Sequence, residues 1–268
     1  MKRPTSERPL VSVGLPTYNR AGTLGRAIES VLGQTYQHIE LVISDNASTD
    51  TTEAVCREAR KRDPRVRYLR QSVNRGATAN FNAVAEASCG DYFAFLGDDD
   101  RLDPSFVELC LQELLGAPDA SLACGAVRTF RDGEPVHERP PFVVLHDVPE
   151  RRVLDYYAGV GSKAAFYGLR PRSVQHRLGP SRNVRANDQL VLGELAYLGK
   201  LVTADTYFNY SLHGVGATRG SWPSRRCCRR FRRALRWPGP PSSSWPTSRG
   251  APRSTGSWAF RAAPGSPS

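Results

Sequence analysis

Leu10-Val11-Ser12-Val13-Gly14-Leu15, closed by Pro16, is a short apolar run of β-prone residues. Residues 21–33 follow it, with Leu24, Ile28, Val31 and Leu32 at helical spacing. The same alternation then repeats. Ile39-Glu40-Leu41-Val42-Ile43-Ser44 reads as a strand and residues 51–61 as a helix, with Asp50 at its N-cap. Val66-Arg67-Tyr68-Leu69 is a third strand, residues 77–88 a third helix and Asp91-Tyr92-Phe93-Ala94-Phe95-Leu96 a fourth strand. Residues 102–115 supply another helix and 121–130 another strand. Strand and helix alternate at the pace of βαβ units, so the expected fold is α/β: a Rossmann-like, mostly parallel sheet with helices on both faces. Beyond it, 131–141 is a polar loop or hairpin, residues 153–160 and 189–198 look helical, and 201–212 look strand-like.

Composition bounds the function. The chain has 37 Lys+Arg against 26 Asp+Glu, a net charge of +11 that invites a nucleic-acid or anionic-membrane reading. Residues 222–268 hold ten of those arginines, no lysine and no acid, together with all four tryptophans and eight of the 20 prolines. The first 221 residues are therefore near neutral, which disfavours a protein that binds nucleic acid along its whole surface. The tail lacks apolar periodicity and capping residues, so it is expected to be disordered. Two origins fit it: out-of-frame translation of a GC-rich gene, or a basic anchor around Arg225-Arg226-Cys227-Cys228-Arg229-Arg230 for an anionic membrane. No apolar run reaches the ~18 residues of a membrane span. Residues 1–9 are charged and proline-broken, without the apolar core of a secretory signal. Cys56, Cys89, Cys110 and Cys124 form no metal or disulfide spacing. These features lead us to expect a cytoplasmic protein, with membrane contact peripheral at most, at the inner face.

In open α/β sheets ligands bind beyond the carboxyl ends of the strands, where strand order reverses. The loops leaving the strands are Pro16-Thr17-Tyr18-Asn19-Arg20, Asp45-Asn46-Ala47-Ser48-Thr49-Asp50, Asn74-Arg75-Gly76 and Gly97-Asp98-Asp99-Asp100. All are polar and should converge on one edge. Three successive carboxylates after a buried strand repel one another, and a hard divalent cation such as Mg²⁺ or Mn²⁺, bridging to substrate phosphates, relieves this. An acidic turn capping the helix that begins near Pro104 is the alternative.

The run from Val11 to Arg20 resembles the opening strand and loop of the family 2 glycosyltransferases, which have the GT-A fold. Ser30-Val31-Leu32-Gly33-Gln34-Thr35-Tyr36, the stretch from Glu40 to Asp50, and the blocks Asn74-Arg75-Gly76 and Gly97-Asp98-Asp99-Asp100 are similar to later motifs of that family, in its order. The resemblance implies a metal-dependent, inverting transfer of a sugar from a nucleoside-diphosphate donor, UDP- or dTDP-linked. The acceptor would be a glycan, lipid-linked or small-molecule hydroxyl, in cell-surface polysaccharide or other glycan biosynthesis. It puts the nucleotide against Pro16, Thr17, Asn19 and Asp45, with Asp45 accepting from the base. Arg75 would lie near the base or diphosphate, Asp98 at the ribose and Asp99 on the metal, with Asp100 at the rim. The chain departs from the family at Gly97 and Asn46, where acids are usual.

Asn187-Asp188-Gln189 precedes an apolar helix and looks like the family's acidic pair, leaving Asp188 as the catalytic base. Capping of its own helix is the simpler role for such an acid. Leu212-His213-Gly214 resembles a late loop whose histidine reaches the metal, although a histidine beside a glycine is also an ordinary loop residue. The resemblance thus divides the chain into a domain of residues 1–221, with a nucleotide-sugar half (8–130) and an acceptor half (131–221), and the tail. A nucleotidyltransferase is disfavoured, because no glycine-rich, Lys-containing triphosphate loop follows the first strand. A non-catalytic or truncated, inactive relative that binds a sugar nucleotide or a membrane is the remaining alternative.

Overall fold

A computed structural model describes residues 8–140, 142–159 and 163–212. The 222–268 tail and His213 lie outside the described residues.

Four parallel strands form the main sheet in the order β3 (Val66–Arg70), β2 (Ile39–Asp45), β1 (Val11–Thr17), β4 (Tyr92–Phe95). A two-residue strand, β8 (Arg170–Pro171), runs antiparallel beside β4. Successive side chains on a strand point to opposite faces, and here both faces are covered. Val11, Val13 and Leu15, Leu41 and Ile43, and Ala94 and Leu96 pack with α1 (Ala21–Leu32), α2 (Thr52–Arg62) and α4 (Phe106–Gly116). Val42, Phe93 and Phe95 pack on the other side with α3 (Ala77–Ala87), α5 (Pro149–Ala158) and α7 (Asn187–Leu198). Burying each of these valine, leucine, isoleucine and phenylalanine side chains stabilises the fold by roughly 1.5–3 kcal/mol. A Cβ on Gly14 would come within 2.9 Å of Val84 Cγ2, so glycine there lets α3 lie close on β1.

The second sheet is mixed, in the order β5 (Arg101–Leu102), β9 (Lys200–Leu212), β6 (Ala120–Arg131), β7 (Glu134–Arg139). β9 runs parallel to β6 and antiparallel to β5. The segment expected as loop or hairpin is a hairpin. Its two-residue turn is Asp132-Gly133, both with positive φ (52° and 90°), the conformation that matches strand twist. Leu102, expected to open a helix, instead pairs with Phe208. Pro104 follows, and α4 starts only at Phe106. Between α5 and α7 the chain makes a 3₁₀ turn, Lys163–Tyr167, then β8 and the short α6 (Arg172–Leu178). The first strand also corrects the sequence reading, since it continues through Pro16 to Thr17.

Candidate active site

The sheet order places β2 on one side of β1 and β4 on the other, so strand order reverses between β1 and β4. The proline in β1 shows how the crevice opens there. Leu96 N donates to Gly14 O at 2.9 Å, and the β1–β4 ladder ends at the pair Gly14–Phe95. Residues two apart address the same neighbour, so Pro16 faces β4 where β4 has already ended. Its missing N–H leaves no broken bond.

Asparagines hold the loops around this crevice. Asn19, at φ 52°, accepts from Thr49 N at 2.8 Å on Oδ1, and its own N–H donates to Ser48 Oγ at 2.9 Å. Asn46 is buried and spans two loops: its Nδ2 donates to Asn74 Oδ1 at 2.8 Å, and its Oδ1 accepts from Arg75 N at 3.0 Å. The backbone N–H of Asn46 donates to Thr17 O at 3.0 Å. Asn80 Nδ2 donates to Thr17 O and Ser44 O. An aspartate at 46 could accept but not donate, so the amide suits this position. Asp50 Oδ1 accepts from Thr52 N at 2.9 Å, although the cap position itself falls on Thr51.

Asp45 is wholly buried. Its carboxylate accepts from Ser48 N (2.8 Å), Tyr68 Oη (3.0 Å) and Arg70 Nη1 (2.6 Å). Oδ1 accepts a single bond and keeps a free acceptor site, but the carboxylate is covered, so contact with a nucleotide base requires the loop over it to open; as it stands, Asp45 ties β2 to β3. Thr17 is buried, with its Oγ1 near the Asp98 carboxyl but not aligned for a full hydrogen bond to it. Pro16 is buried beside it, while Asn19 and Arg75 are exposed.

The acidic turn lies across the crevice. Arg20 Nε sits 3.6 Å from Asp98 Oδ1, linking the first loop to the fourth. Burial raises the Asp98 carboxyl to about 6; Asp99 adds to this, while Thr17, Arg20 and the Tyr18 backbone oppose it. Burial raises Asp100 further, to about 8, helped by the charges of Asp99 and Asp98 and opposed by the Ser211 N–H, which donates to Asp100 Oδ1 at 2.9 Å. Gly97 makes this packing possible. A Cβ there would lie 2.6 Å from Asp100 Oδ2 and 3.3 Å from Asp99 Oδ1. Asp100 is thus folded inward onto β9 rather than standing at the rim.

Among the described residues no three His, Cys, Asp or Glu side chains form a metal cage. Asp99 and Asp100 nevertheless bring hard oxygens to the same side of Gly97, where burial and like charge oppose ionisation of Asp100. That donor set fits a divalent cation completed by substrate oxygens, which is how Mg²⁺ is commonly held.

Asp188 is half-buried in the first turn of α7, after Ala186 at φ 60°. No side chain caps this helix. Among the described residues the Asp188 carboxylate has no hydrogen bond or ion pair, so capping does not occupy it. Tyr167 relates it to the acidic turn. The Tyr167 phenol is pushed well up by burial first, then by Asp100, Asp99, Tyr210 and Asp188. Its ring stacks flat on Phe208 of β9, with centroids 4.9 Å apart. The sequence reading assigned no role to Tyr167, Tyr210 or Ser211. They stand on the irregular 3₁₀ turn and at the end of β9, where no local pattern marks a contact with Asp100. Arg20 was within reach, as the one cation of the first loop.

The Glycosyl transferase family 2 profile matches residues 12–169. The chain is 40% identical over 116 residues to a chondroitin synthase of Escherichia coli, covering 43% of this chain and 16% of that protein. It is 26% identical over 220 residues to the glycosyltransferase GlyA of Streptococcus pneumoniae, covering 79% and 31%. It is 33% identical over 132 residues to TuaG of Bacillus subtilis, described as a putative teichuronic acid biosynthesis glycosyltransferase, covering 49% and 52%. The chain thus spans between about one sixth and one half of these relatives. In three dimensions it is similar to residues 1–349 of Staphylococcus aureus TarS, solved in complex with UDP-GlcNAc. The TM-score is 0.61 at 15% identity, over 80% of this chain and 62% of that one. With its parallel sheet, switch-point crevice and acidic turn, the chain has the GT-A fold and belongs to glycosyl transferase family 2.

Proposed function

We propose that this chain moves a sugar from a nucleoside-diphosphate donor, UDP- or dTDP-linked, to an acceptor hydroxyl with inversion, in cell-surface polysaccharide or related glycan biosynthesis. One observation carries the reading. The acidic turn stands at the switch-point crevice, and Asp188, a carboxylate unpaired among the described residues, shares the neighbourhood of Tyr167 with it. TarS structures with UDP and UDP-GlcNAc support a uridine donor.

In this reading Pro16, Thr17 and Asn19 form the floor of the nucleotide site, Arg75 covers it, and Asp98 meets the ribose. Asp45 contributes either by turning to the base or by holding the loop. Asp99, with Asp100 and His213, would hold Mn²⁺ or Mg²⁺, which when bound supplies positive charge against the leaving diphosphate. The acceptor O–H gives its proton to Asp188, and the oxygen's electron pair forms the new bond to the anomeric carbon. The bond to the diphosphate breaks on the opposite face, its electrons leaving on the phosphate oxygen. One displacement inverts configuration, so no glycosyl-enzyme is required.

A hydrolysis screen of UDP-, dTDP- and GDP-sugars with Mn²⁺ tests this. Turnover of a UDP- or dTDP-sugar that depends on Mn²⁺ is expected. Silence towards every donor, together with failure to bind UDP, would leave the non-catalytic alternative.

A further inference from the structure

Among the described residues nothing bonds the Asp188 carboxylate, so its place follows from the backbone at the start of α7. That backbone is delivered by connector 179–186, which is largely exposed and enters the helix through Ala186 at φ 60°. A left-handed alanine persists only where its surroundings hold it.

The hold comes from α3. Asn82 is half-buried there, 99 residues away in the chain, and meets Ser181 with both ends of its amide. Ser181 N donates to Asn82 Oδ1 at 2.7 Å, and Asn82 Nδ2 donates to Ser181 O at 3.1 Å. The next residue carries the constraint onward: Arg182 N donates to Asn187 Oδ1 at 3.1 Å, and Asn187 opens α7 beside Asp188. Thr78 Oγ1, one turn earlier on α3, adds a longer bond of 3.4 Å to Asn183 Oδ1. The helix that makes these ties is itself fixed, since it lies close on β1 over Gly14 and starts from the Asn74-Arg75-Gly76 loop. A side-chain amide can accept from and donate to the same backbone residue; a carboxylate only accepts, and leucine does neither.

We propose that Asn82 is a positioning residue: by clamping Ser181 to α3 it fixes the connector and so holds Asp188 where the acceptor O–H gives up its proton. This rests on the reading of Asp188 as the base. Asn82 touches no reacting atom and acts through the backbone between Ser181 and Asp188.

Steady-state hydrolysis of the UDP- or dTDP-sugar that turns over with Mn²⁺ tests this in the full chain, with water as the acceptor. Asn82→Leu should lower kcat about 10²-fold, the scale of a displaced catalytic group, with donor KM, UDP affinity and UDP stoichiometry unchanged. A loss of folded protein would lower the stoichiometry instead. Asn82→Asp keeps the bond from Ser181 N and should lose less, about five- to tenfold. Because the clamp acts through Asp188, combining Asn82→Leu with Asp188→Asn should give a chain no slower than Asp188→Asn alone. Hydrogen exchange, which needs no turnover, should quicken across residues 181–190 in Asn82→Leu. The proposal is overturned if Asn82→Leu keeps the wild-type kcat, if the two losses multiply in the double variant, or if exchange across 181–190 is unchanged. Silence of the wild-type chain towards every donor would sink the transferase reading, and wild-type turnover by Asp188→Asn the base assignment; the clamp's role falls with either. If Asp188→Asn is slow and Asn82→Leu is not, only the clamp fails.

Discussion

Asp45 and Asp188 are acids at the ends of elements, one where β2 ends and one where α7 begins, and their surroundings are opposite. Asp45 is sealed from solvent by Ser48, Tyr68 and Arg70. Asp188 is half-exposed and unpaired among the described residues. A carboxylate with both oxygens engaged builds structure, and one left unbonded and partly exposed is free to take a proton. The first half is accordingly locked by side chains bonded to loop backbone, whereas connector 179–186 is largely exposed and bends through left-handed Gly179 and Ala186.

Exchanging the two acids for amides breaks this comparison most strongly. Asp188→Asn should lower transfer by about 10²–10⁴ with the melting temperature unchanged, as expected for a general base. Asp45→Asn should instead destabilise the fold, by about 1–3 kcal/mol for a lost charge-assisted hydrogen bond at a partly exposed arginine, measured by urea unfolding. If Asp45→Asn leaves stability intact and abolishes nucleotide binding, Asp45 faces the base.

Next in size is Asn46→Asp, which removes the bond to Asn74 and sets a charge against Asn74 Oδ1. The donor KM should rise about five- to twentyfold with kcat little changed, because the Asn74-Arg75-Gly76 loop keeps the Arg75 N–H bond but loses the Asn74 one and gains a repulsion in its place. An equal fall in kcat at fixed KM would show that Asn46 acts on the chemistry instead.

The acidic turn yields a pH prediction. Asp98 and Asp100 ionise at higher pH in the folded chain than when unfolded. Between about pH 4 and 8 the native state therefore binds more protons, and stability falls as pH rises through that window. Cation binding needs the ionised forms, so in the presence of UDP the Mn²⁺ affinity should rise up to about tenfold per pH unit from 6 to 8. A flat profile would remove Asp100 from the cation's surroundings. Smallest is Gly97→Ala: its Cβ meets Asp100 Oδ2 at 2.6 Å, so Asp100 must shift, with a few-fold loss of Mn²⁺-dependent hydrolysis expected.

Much of the first half was legible because local pattern and tertiary role coincide there. The runs at 10–15, 39–44 and 91–96 became β1, β2 and β4, and the loops after them converge as the strand-end rule requires. Tertiary pairing decided the misread positions. Pro16 stays in a strand because β4 has ended beside it, and Leu102 joins β5 because β9 offers it a partner. In the second half the 3₁₀ turn, β8 and α6 are too short for periodicity to show. The helix expected at 153–160 starts earlier, at Pro149, a residue suited to a first helical turn. Arg170 reads as one more surface arginine in the sequence; only the packing of three phenylalanines around it shows otherwise.

The central claim is that the acidic turn binds a nucleoside diphosphate together with a cation, while Asp188 serves the acceptor. Isothermal titration of UDP, with and without Mn²⁺, into the wild-type chain, Asp99→Ala and Asp188→Asn tests it most directly. The account predicts Mn²⁺-dependent UDP binding that is lost in Asp99→Ala and kept in Asp188→Asn. Unchanged Mn²⁺-dependent binding by Asp99→Ala would contradict it.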